Sequence, residues 1–255
     1  MLPNQSKCKI AIIGLGYVGL PLACEFAKVK TSLISKNLLE RKVIGFDTNS
    51  ERIKQLKNSL DITDQISKKT LKNLNNLEFT NQADKLLTCE VFIVTVPTPI
   101  TKDKQPDLSP LNTASRNVGE ILKKRKELFK KNELKTTPVI IFESTVYPGL
   151  TEEYCIPIIE NFSRLKLNDP DPSNGFVAGY SPERINPGDK DHCLTSIKKV
   201  TSGSNNKSRL WIDELYASII NAGTYSASSI KIAESAKVIE NTQRDINIAL
   251  MNELA

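Results

Sequence analysis

The glycine pattern 14-GLGYVG-19 constrains the fold of this chain more than any other feature of its sequence. It directly follows the largely apolar run 8-CKIAII-13, which predicts a buried strand, and it precedes a stretch with the composition of a helix. In such a strand-turn-helix unit the first glycine permits a tight turn, the second lets the backbone approach a pyrophosphate, and the third lets the helix pack closely on the strand. The pattern therefore predicts a parallel α/β sheet with a dinucleotide at the positive end of the first helix.

Short, β-branched apolar runs alternate with longer amphipathic stretches along the chain, which is typical of repeated βαβ units. Strands are predicted at 8–13, 42–46, 90–96, 138–143, 176–180 and 198–202, and helices near 17–33, 49–58, 64–74, 109–130, 151–163, 206–222 and 231–255. The Asp- and Pro-rich segment 164–175 is predicted to be a surface loop. We therefore expect an α/β fold with a Rossmann-like, doubly wound, mainly parallel sheet, followed by a long helix.

Composition and charge exclude several classes of protein. A chain of 255 residues with 39% hydrophobic and 25% charged content can bury one large core. Its formal net charge of +6 suits an anionic small molecule, while lysine runs such as 123-KKRKELFKK-131 are typical of a solvated helix face. No aromatic-rich basic segment accompanies these runs, so no nucleic-acid partner is predicted.

The N-terminal segment and the cysteines bear on the location of the protein. The uncharged run 10–24 follows Lys7 and Lys9, as in a signal peptide, but its glycine spacing favours the dinucleotide turn. No other stretch approaches the roughly 18 apolar residues of a membrane span, so no membrane association is predicted. The five cysteines are odd in number and lack CxxC pairs, which disfavours disulfides and a metal site. We expect a reducing, cytoplasmic setting and no bound metal.

The second predicted strand ends in 45-GFDTN-49, which places Asp47 where a carboxylate can accept hydrogen bonds from a ribose. Because a carboxylate there would repel a 2′-phosphate, NAD is predicted rather than NADP. Asp47 follows Gly19 by 28 residues, which is longer than the usual spacing of about 20 residues. We assign the excess to an extended helix and loop through 30–42. The alternative is that these are only turn glycines and an Asp at a strand end.

Three proline-containing loops follow predicted strands and should meet at the carboxyl edge of the sheet, where open α/β folds bind ligands. Any one of them could be only a stiffened turn, but three on one edge favour a site. Thr98, Ser144 and Thr145 could approach a nicotinamide or hold a water, and Glu183 could act as a base if partly desolvated. The loops read 96-VPTPI-100, 143-ESTVYPG-149 and 179-GYSPERINPG-188.

The closing helix carries a row of polar side chains along one side. An exposed amphipathic face would explain most of them, but asparagine is a poor helix former that a merely solvated face has little reason to use. The row therefore also suggests a functional surface. Its members are Glu234, Lys237, Asn241, Arg244 and Asn252.

Together these motifs resemble the N-terminal part of the UDP-sugar 6-dehydrogenases, the family that includes UDP-glucose dehydrogenase. The resemblance covers essentially the whole chain. Its motifs are GLGYVGLPLA, GFDTN with Arg52 behind it, VPTP, DLS at 107–109, ESTVYPG, SPERINPG, and Lys237-x-x-x-Asn241 followed by NEL.

Two features resemble one branch of that family. Pro187 in SPERINPG stands where UDP-glucose dehydrogenases usually carry a second glutamate, and 189–204 is similar to the dehydrogenases of UDP-N-acetylglucosamine and UDP-N-acetylgalactosamine. These enzymes feed capsule and surface polysaccharide synthesis. UDP-glucose and UDP-N-acetylmannosamine stay alternative substrates.

The resemblance implies an NAD-dependent oxidation of C6 of a UDP-sugar, first to the aldehyde and then to the uronic acid, with two NAD molecules consumed. It implies catalytic roles for four residues. Thr145 and Glu183 would hold or activate a water, and Lys237 and Asn241 would stabilise the oxyanion at C6.

The resemblance also implies a set of binding residues. The cofactor-binding residues would be Gly14, Gly16, Tyr17, Val18 and Gly19 at the pyrophosphate, Asp47 and Arg52 at the adenosine ribose, and Pro97, Thr98, Ser144 and Thr145 towards the nicotinamide. The substrate-binding residues would be Glu183, Arg184, Ile185, Asn186, Lys237, Asn241 and Arg244.

By the same resemblance, residues 1–224 would form the NAD-binding domain, and 225–255 would begin a central helix that builds a homodimer. The family's cysteine nucleophile and UDP-sugar-binding domain have no counterpart in this sequence, so we expect an inactive fragment of the parent enzyme. Two alternatives stay open. One is a free-standing NAD-binding module, and the other is a relative of the 6-phosphogluconate or hydroxyacyl-CoA dehydrogenases, which the SPERINPG and ESTVYPG loops fit poorly.

Overall fold

A computed structural model describes residues 1–131, 134–183 and 194–255. Within these ranges, the main sheet has seven strands: β1 Lys9–Ile13, β2 Lys42–Phe46, β3 Leu77–Thr80, β4 Val91–Val94, β5 Val139–Phe142, β6 Lys166–Leu167 and β7 Gly175–Tyr180. All of them run parallel in the order β3-β2-β1-β4-β5-β7-β6. The order reverses between β1 and β4, which is where doubly wound sheets bind ligands. The predicted fold class is confirmed.

Seven helices accompany the strands in the described part of the chain. A second sheet pairs β8 Lys199–Thr201 with β9 Thr224–Ser226, so the predicted strand at 198–202 exists but lies outside the main sheet. A short 3₁₀ turn spans Ala83–Leu86, and one π-helical turn, Thr151–Cys155, leads into α5. The helices are α1 Gly19–Lys28, α2 Ser50–Lys57, α3 Lys68–Lys72, α4 Ser109–Lys130, α5 Ile156–Ser163, α6 Asn206–Ala217 and α7 Ile230–Leu254.

Both faces of the sheet are buried. On β1, Ile10 and Ile12 pack into the cluster that includes α1 and α6, while Ala11 and Ile13 pack into the cluster that includes α4 and α5. Central strands covered on both faces have apolar residues at consecutive positions rather than at alternating ones. The sequence pattern does not predict β3, β6 or β9, because these short strands lie at edges and carry polar residues.

The first helix is shorter than predicted. It ends at Lys28, and the backbone at Val29 is already extended. Thr31 bridges to Leu38 within the loop that follows, and the Ser32 N–H donates to the Asn37 carbonyl instead of to a helical partner. The excess residues before Asp47 therefore form a loop and not an extended helix.

The C-terminal part of the chain is a single helix, α7. The predicted boundary after residue 224 falls within β9, and three residues separate the end of that strand from the start of α7. The division into two domains stays a prediction. In the described ranges, none of the helices combines the length and the apolar character that crossing a bilayer requires.

Candidate functional site

The glycine turn between β1 and α1 has the geometry that its sequence predicts. Gly14 has φ +97°, and a Cβ there would lie 3.1 Å from the Thr95 carbonyl oxygen. A Cβ on Gly19 would collide with the Gly14 carbonyl oxygen, so this glycine is needed for close packing. A Cβ on Gly16 would meet no atom within 4 Å. The open space beside Gly16 and the N-terminus of α1 fit a pyrophosphate.

Asp47 lies directly beside this turn. Its Oδ2 accepts a hydrogen bond from the Leu15 N–H at 2.8 Å, and its Oδ1 accepts one from the Asn49 N–H at 2.9 Å. Each carboxylate oxygen can accept a second hydrogen bond, so the group can still bind ribose hydroxyls. The carboxylate is therefore fixed in place and fits its predicted role.

Arg52 lies behind the turn rather than in the lining of the cleft. Its Nε donates to the Leu15 carbonyl at 2.9 Å, and its Nη2 lies 2.8 Å from Asp61 Oδ1. Burial alone would raise the pKa of Asp61, but hydrogen bonds from Thr63 and Arg52 hold that pKa below its ordinary value. Arg52 thus supports the glycine turn in this structure, and its predicted contact with the ribose stays a prediction.

A cleft of about 370 Å³ opens between the end of β2 and the start of α4. Its location, next to Asp47 and away from Lys237, fits the adenosine half of a dinucleotide. Its lining residues are Ile13, Gly14, Phe46, Asp47, Thr48, Val96, Pro97, Ser109, Pro110, Thr113, Ala114 and Asn117.

A second cleft, of about 410 Å³, shares Gly14, Asp47, Val96 and Pro97 with the first. It brings together most of the residues predicted for the nicotinamide and the reaction. Its lining residues are Gly14, Leu15, Gly16, Tyr17, Val18, Asp47, Thr95, Val96, Pro97, Thr98, Glu143, Ser144, Thr145, Glu183 and Lys237. The three loops predicted at the carboxyl edge of the sheet thus border one cleft.

Some predicted site residues lie elsewhere. Asn241 and Arg244 follow Lys237 on α7 but do not line the second cleft, and Arg244 pairs with Glu240 at 3.2 Å. The predicted substrate-binding residues 184–186 (Arg184, Ile185 and Asn186) lie outside the described residues.

The hydroxyl groups of the strand-end loops hold these loops together. Ser144 Oγ donates to the Val96 carbonyl at 2.6 Å, and Thr98 Oγ1 donates to the Thr145 carbonyl at 2.7 Å. The Thr145 side chain is exposed at the cleft, where it can reach a ligand. Sequence reasoning missed Thr95, whose Oγ1 donates to the Gly14 carbonyl at 2.7 Å and so braces the glycine turn. Its position at the end of an apolar strand was the available signal.

A buried cluster of charges behind the cleft was also missed. Lys199 Nζ lies 2.8 Å from Glu143 Oε2 and 2.8 Å from Glu183 Oε2, and Tyr216 donates its hydroxyl to Glu143. Burial raises the pKa of Glu143. Burial alone would lower the pKa of Lys199, but the two carboxylates raise it overall. Charged residues at 143 and 199, within or beside apolar strands, were the signal in the sequence.

Lys237 reaches the same cleft from α7. Its side chain is 8% exposed, and within the described ranges it has no hydrogen-bonding or ion-pairing partner. Burial lowers the pKa of Lys237. An ammonium group in this setting is available to an oxygen of a bound ligand, as its predicted role requires.

Glu234 belongs to the polar row predicted on the closing helix, but it is fully buried. Its two carboxylate oxygens accept the N–H groups of Gly149 at 2.6 Å and Thr151 at 3.0 Å. A carboxylate at the start of a helical turn stabilises the unpaired N–H groups there. Glu234 therefore anchors α7 to the loop that carries Thr145.

Four of the five cysteines are buried and free, and none lines either cleft. Burial raises the pKa of Cys8 to about 11 and those of Cys24, Cys89 and Cys155 to about 12. These thiols are poor nucleophiles at neutral pH. Cys193 lies outside the described residues.

Comparison with known proteins adds to this geometry. Residues 8–220 match the NAD binding domain of the UDP-glucose/GDP-mannose dehydrogenase family. The chain is 53% identical over 247 residues to a UDP-N-acetyl-D-glucosamine 6-dehydrogenase of Pseudomonas aeruginosa. The aligned region covers 97% of this chain and 52% of that protein. It is 47% identical to the protein CapL of Staphylococcus aureus, over 96% of the chain and 51% of that protein.

A solved structure, that of UDP-D-ManNAc dehydrogenase from Pyrococcus horikoshii, is 32% identical with a TM-score of 0.78 and covers 96% of this chain and 52% of its own. The chain thus spans about half the length of the curated relatives it matches. The match of the family over most of the chain agrees with the glycine turn, Asp47 and the shared cleft. The chain belongs to the UDP-glucose/GDP-mannose dehydrogenase family and carries that family's NAD-binding domain.

Proposed function

We propose that this chain holds NAD for the oxidation of C6 of a UDP-N-acetylhexosamine, with UDP-N-acetylglucosamine as the first candidate. The observation that carries the proposal is the second cleft, in which the glycine turn, Glu183 and Lys237 border the same space. The choice of sugar is supported by two relatives, 53% and 51% identical, that are named UDP-N-acetyl-D-glucosamine 6-dehydrogenases. Relatives named UDP-N-acetyl-D-mannosamine dehydrogenases are less similar, at 29% to 34% identity.

In this proposal the glycine turn and the N-terminus of α1 bind the pyrophosphate, and Asp47 binds the adenosine ribose. When bound, NAD supplies the acceptor for the hydride that leaves C6. Pro97, Thr98 and Ser144 border the nicotinamide side of the cleft. The Ser144 and Thr98 hydroxyls keep the two loops at a fixed separation through their hydrogen bonds to backbone carbonyls.

The reaction also requires that a proton leave the C6 hydroxyl. In this proposal Glu183 accepts it, directly or through a water oriented by the Thr145 hydroxyl. The Lys237 ammonium would stabilise the oxygen of C6 as negative charge develops on it, and the Asn241 amide would assist from the next turn of α7. Arg244 would contact the nucleotide-sugar further along the helix.

The second oxidation, from aldehyde to acid, requires a nucleophile that the buried thiols do not offer. We therefore propose that formation of the uronic acid depends on a nucleophile other than these four buried thiols. A second candidate function is an NAD-binding module without turnover, because residues 8–220 match an NAD binding domain. The two functions differ in whether the first oxidation takes place.

We further propose that α7 mediates dimerisation of this protein. The helix exposes a series of apolar side chains, which is unusual for a solvated helix. The exposed members are Ile232, Ile239, Ile246, Ile248, Leu250, Met251 and Leu254.

Calorimetric titration with NAD and NADP, followed by a turnover assay, tests the proposed function. NAD should bind more tightly than NADP. The protein, expressed with any sequence that continues its reading frame, should form two NADH per UDP-N-acetylglucosamine. Turnover confined to UDP-glucose or UDP-N-acetylmannosamine would overturn the choice of sugar. NAD binding without NADH formation from any UDP-sugar would favour the binding module.

A further inference from the structure

Lys199 connects two acidic side chains that come from different parts of the fold. Glu143 follows β5, Glu183 lies in the loop after β7, and Lys199 begins β8. The Lys199 ammonium is 2.8 Å from one oxygen of each carboxylate. The exposed fractions of the side chains are 0% for Glu143, 3% for Lys199 and 9% for Glu183. Glu183 is therefore the member of this trio most accessible from solvent.

Stability alone is a weak reason for such a cluster. Removing charges from water costs several kcal/mol per ion, roughly what their attraction returns, and apolar replacements are often equally stable. The position of the cluster suggests another reason. Glu143 and Glu183 line the second cleft, whereas Lys199 does not. Lys199 thus contacts Glu183, a residue that lines the cleft, without lining the cleft itself.

The groups that surround Lys199 are themselves held by hydrogen bonds. Glu143 accepts the hydroxyl hydrogen of Tyr216, which is fully buried on α6. Strand β8 is held against β7 because Ser181 Oγ donates to the Val200 carbonyl at 2.7 Å. Charge-assisted hydrogen bonds on a rigid support hold a side chain in one orientation.

The charges of the cluster also suit the cleft. Two carboxylates and one ammonium sum to a single negative charge, and Lys237 presents a positive charge from α7. Without Lys199, the two carboxylates would lie close together with no opposite charge between them. Lys199 therefore offsets their mutual repulsion.

We propose that Lys199 is a positioning residue, which fixes the Glu183 carboxylate in one orientation at the wall of the cleft. The inference rests on the proposed function only in giving Glu183 a task in the oxidation. The orientation of the Glu183 carboxylate can be tested without turnover, so it is measured separately from the role of Glu183 in the oxidation.

The geometric test compares crystal structures of two variants of the 255-residue chain with NAD. In Lys199→Met the Glu183 carboxylate should leave its position or occupy several rotamers. Lys207→Met, which removes an exposed lysine of α6, should leave it unchanged. An unmoved Glu183 in Lys199→Met would overturn the proposal. If that variant does not fold, Glu143→Gln/Lys199→Met replaces it, because the double variant leaves no second buried charge, and the same two outcomes apply.

The kinetic test is a double-mutant cycle, in protein expressed with any sequence that continues its reading frame. Glu183→Gln and Lys199→Met should each lower kcat roughly 100-fold, as loss of a general base does, with the NAD affinity unchanged. The double variant should lose no more than Glu183→Gln alone, because Lys199 acts through Glu183. Multiplied losses would show that Lys199 acts independently and would overturn the proposal. If the unaltered protein oxidises no UDP-sugar, the proposed function fails, and the crystal structures alone decide the positioning.

Discussion

The Leu15 N–H donates to Asp47 Oδ2 at 2.8 Å, which ties the carboxylate at the end of β2 to the glycine turn after β1. The Leu15 carbonyl is held in turn by Arg52 Nε at 2.9 Å. The N–H and the carbonyl of Leu15 are therefore both fixed by side chains from the neighbouring βα unit. The turn and the Asp47 carboxylate therefore form one preorganised unit.

Replacing Asp47 should change the choice of cofactor. In Asp47→Asn the side-chain oxygen can still accept the Leu15 N–H, but the charge that repels a 2′-phosphate is lost. A hydrogen bond to a charged group contributes about 1.5–3 kcal/mol, so NAD should bind about tenfold more weakly or worse. The ratio of NAD to NADP affinity should fall further, because NADP binding improves. Calorimetric titration measures both, and Asp64→Asn, at an exposed carboxylate, is the control. An unchanged ratio would contradict the assignment of Asp47.

The last glycine of the pattern, Gly19, should respond differently to alanine from the middle one, Gly16. Gly16→Ala places its Cβ in open space, so the protein should keep its thermal stability but bind NAD at least about tenfold more weakly, since the pyrophosphate loses close approach. Gly19→Ala forces its Cβ against the Gly14 carbonyl, which should cost about 1–3 kcal/mol of unfolding free energy. Thermal unfolding and NAD titration of both variants measure the contrast. Equal destabilisation would argue against this geometry.

Local patterns were sufficient to predict the elements that carry the site. The helix predicted at 109–130 is observed at Ser109–Lys130, and the strand predicted at 42–46 is observed at Lys42–Phe46. Strands buried on both faces and long amphipathic helices leave strong signals, because their periodicity follows directly from which faces are covered. The carboxyl edge of the sheet could therefore be located from sequence.

Contacts between distant residues could not be predicted in this way. Lys199 meets Glu143 across 56 positions of sequence, and no periodic pattern records such a pairing. Glu234 shares the helical spacing of Lys237 and Asn241, yet it faces the Gly149 N–H rather than a ligand. Spacing identifies the side of a helix, but the partner of each side chain depends on the tertiary structure.

Glu234 should matter for stability more than its place in a polar row suggests. Glu234→Ala leaves the buried N–H groups of Gly149 and Thr151 without their acceptor, which should cost roughly 3 kcal/mol of unfolding free energy. Glu253→Ala, at an exposed glutamate of the same helix, should change stability by less than about 0.5 kcal/mol. Denaturant unfolding of the two variants measures the difference. Equal effects would show that Glu234 does not anchor α7.

The buried thiols should resist alkylation and weaken the fold only at high pH. Burial raises the pKa of Cys8 from 9.0 to about 11, so the folded state retains a proton that the unfolded state loses above pH 9. The free energy of unfolding should therefore fall as pH rises from about 9 to about 11. Iodoacetamide labelling at pH 8, in a Cys193→Ser background, should modify the native protein slowly and the denatured protein rapidly. Rapid native labelling of any described cysteine would contradict its burial and make it a candidate nucleophile.

Helix α7 should mediate self-association. Ile239 and Ile246 are 67% and 60% exposed and lie two turns apart on α7. Both line one shallow, largely apolar depression on the surface of this helix. Ile239→Glu/Ile246→Glu places two negative charges on this face and should convert a dimer into a monomer, because buried unpaired charges cost several kcal/mol per ion. Ile62→Glu, at a residue 65% exposed elsewhere on the surface, should leave the dimer unchanged. Sedimentation velocity over a range of concentrations measures the states, and an unaltered protein that stays monomeric throughout would refute the assignment of α7 as the dimer interface.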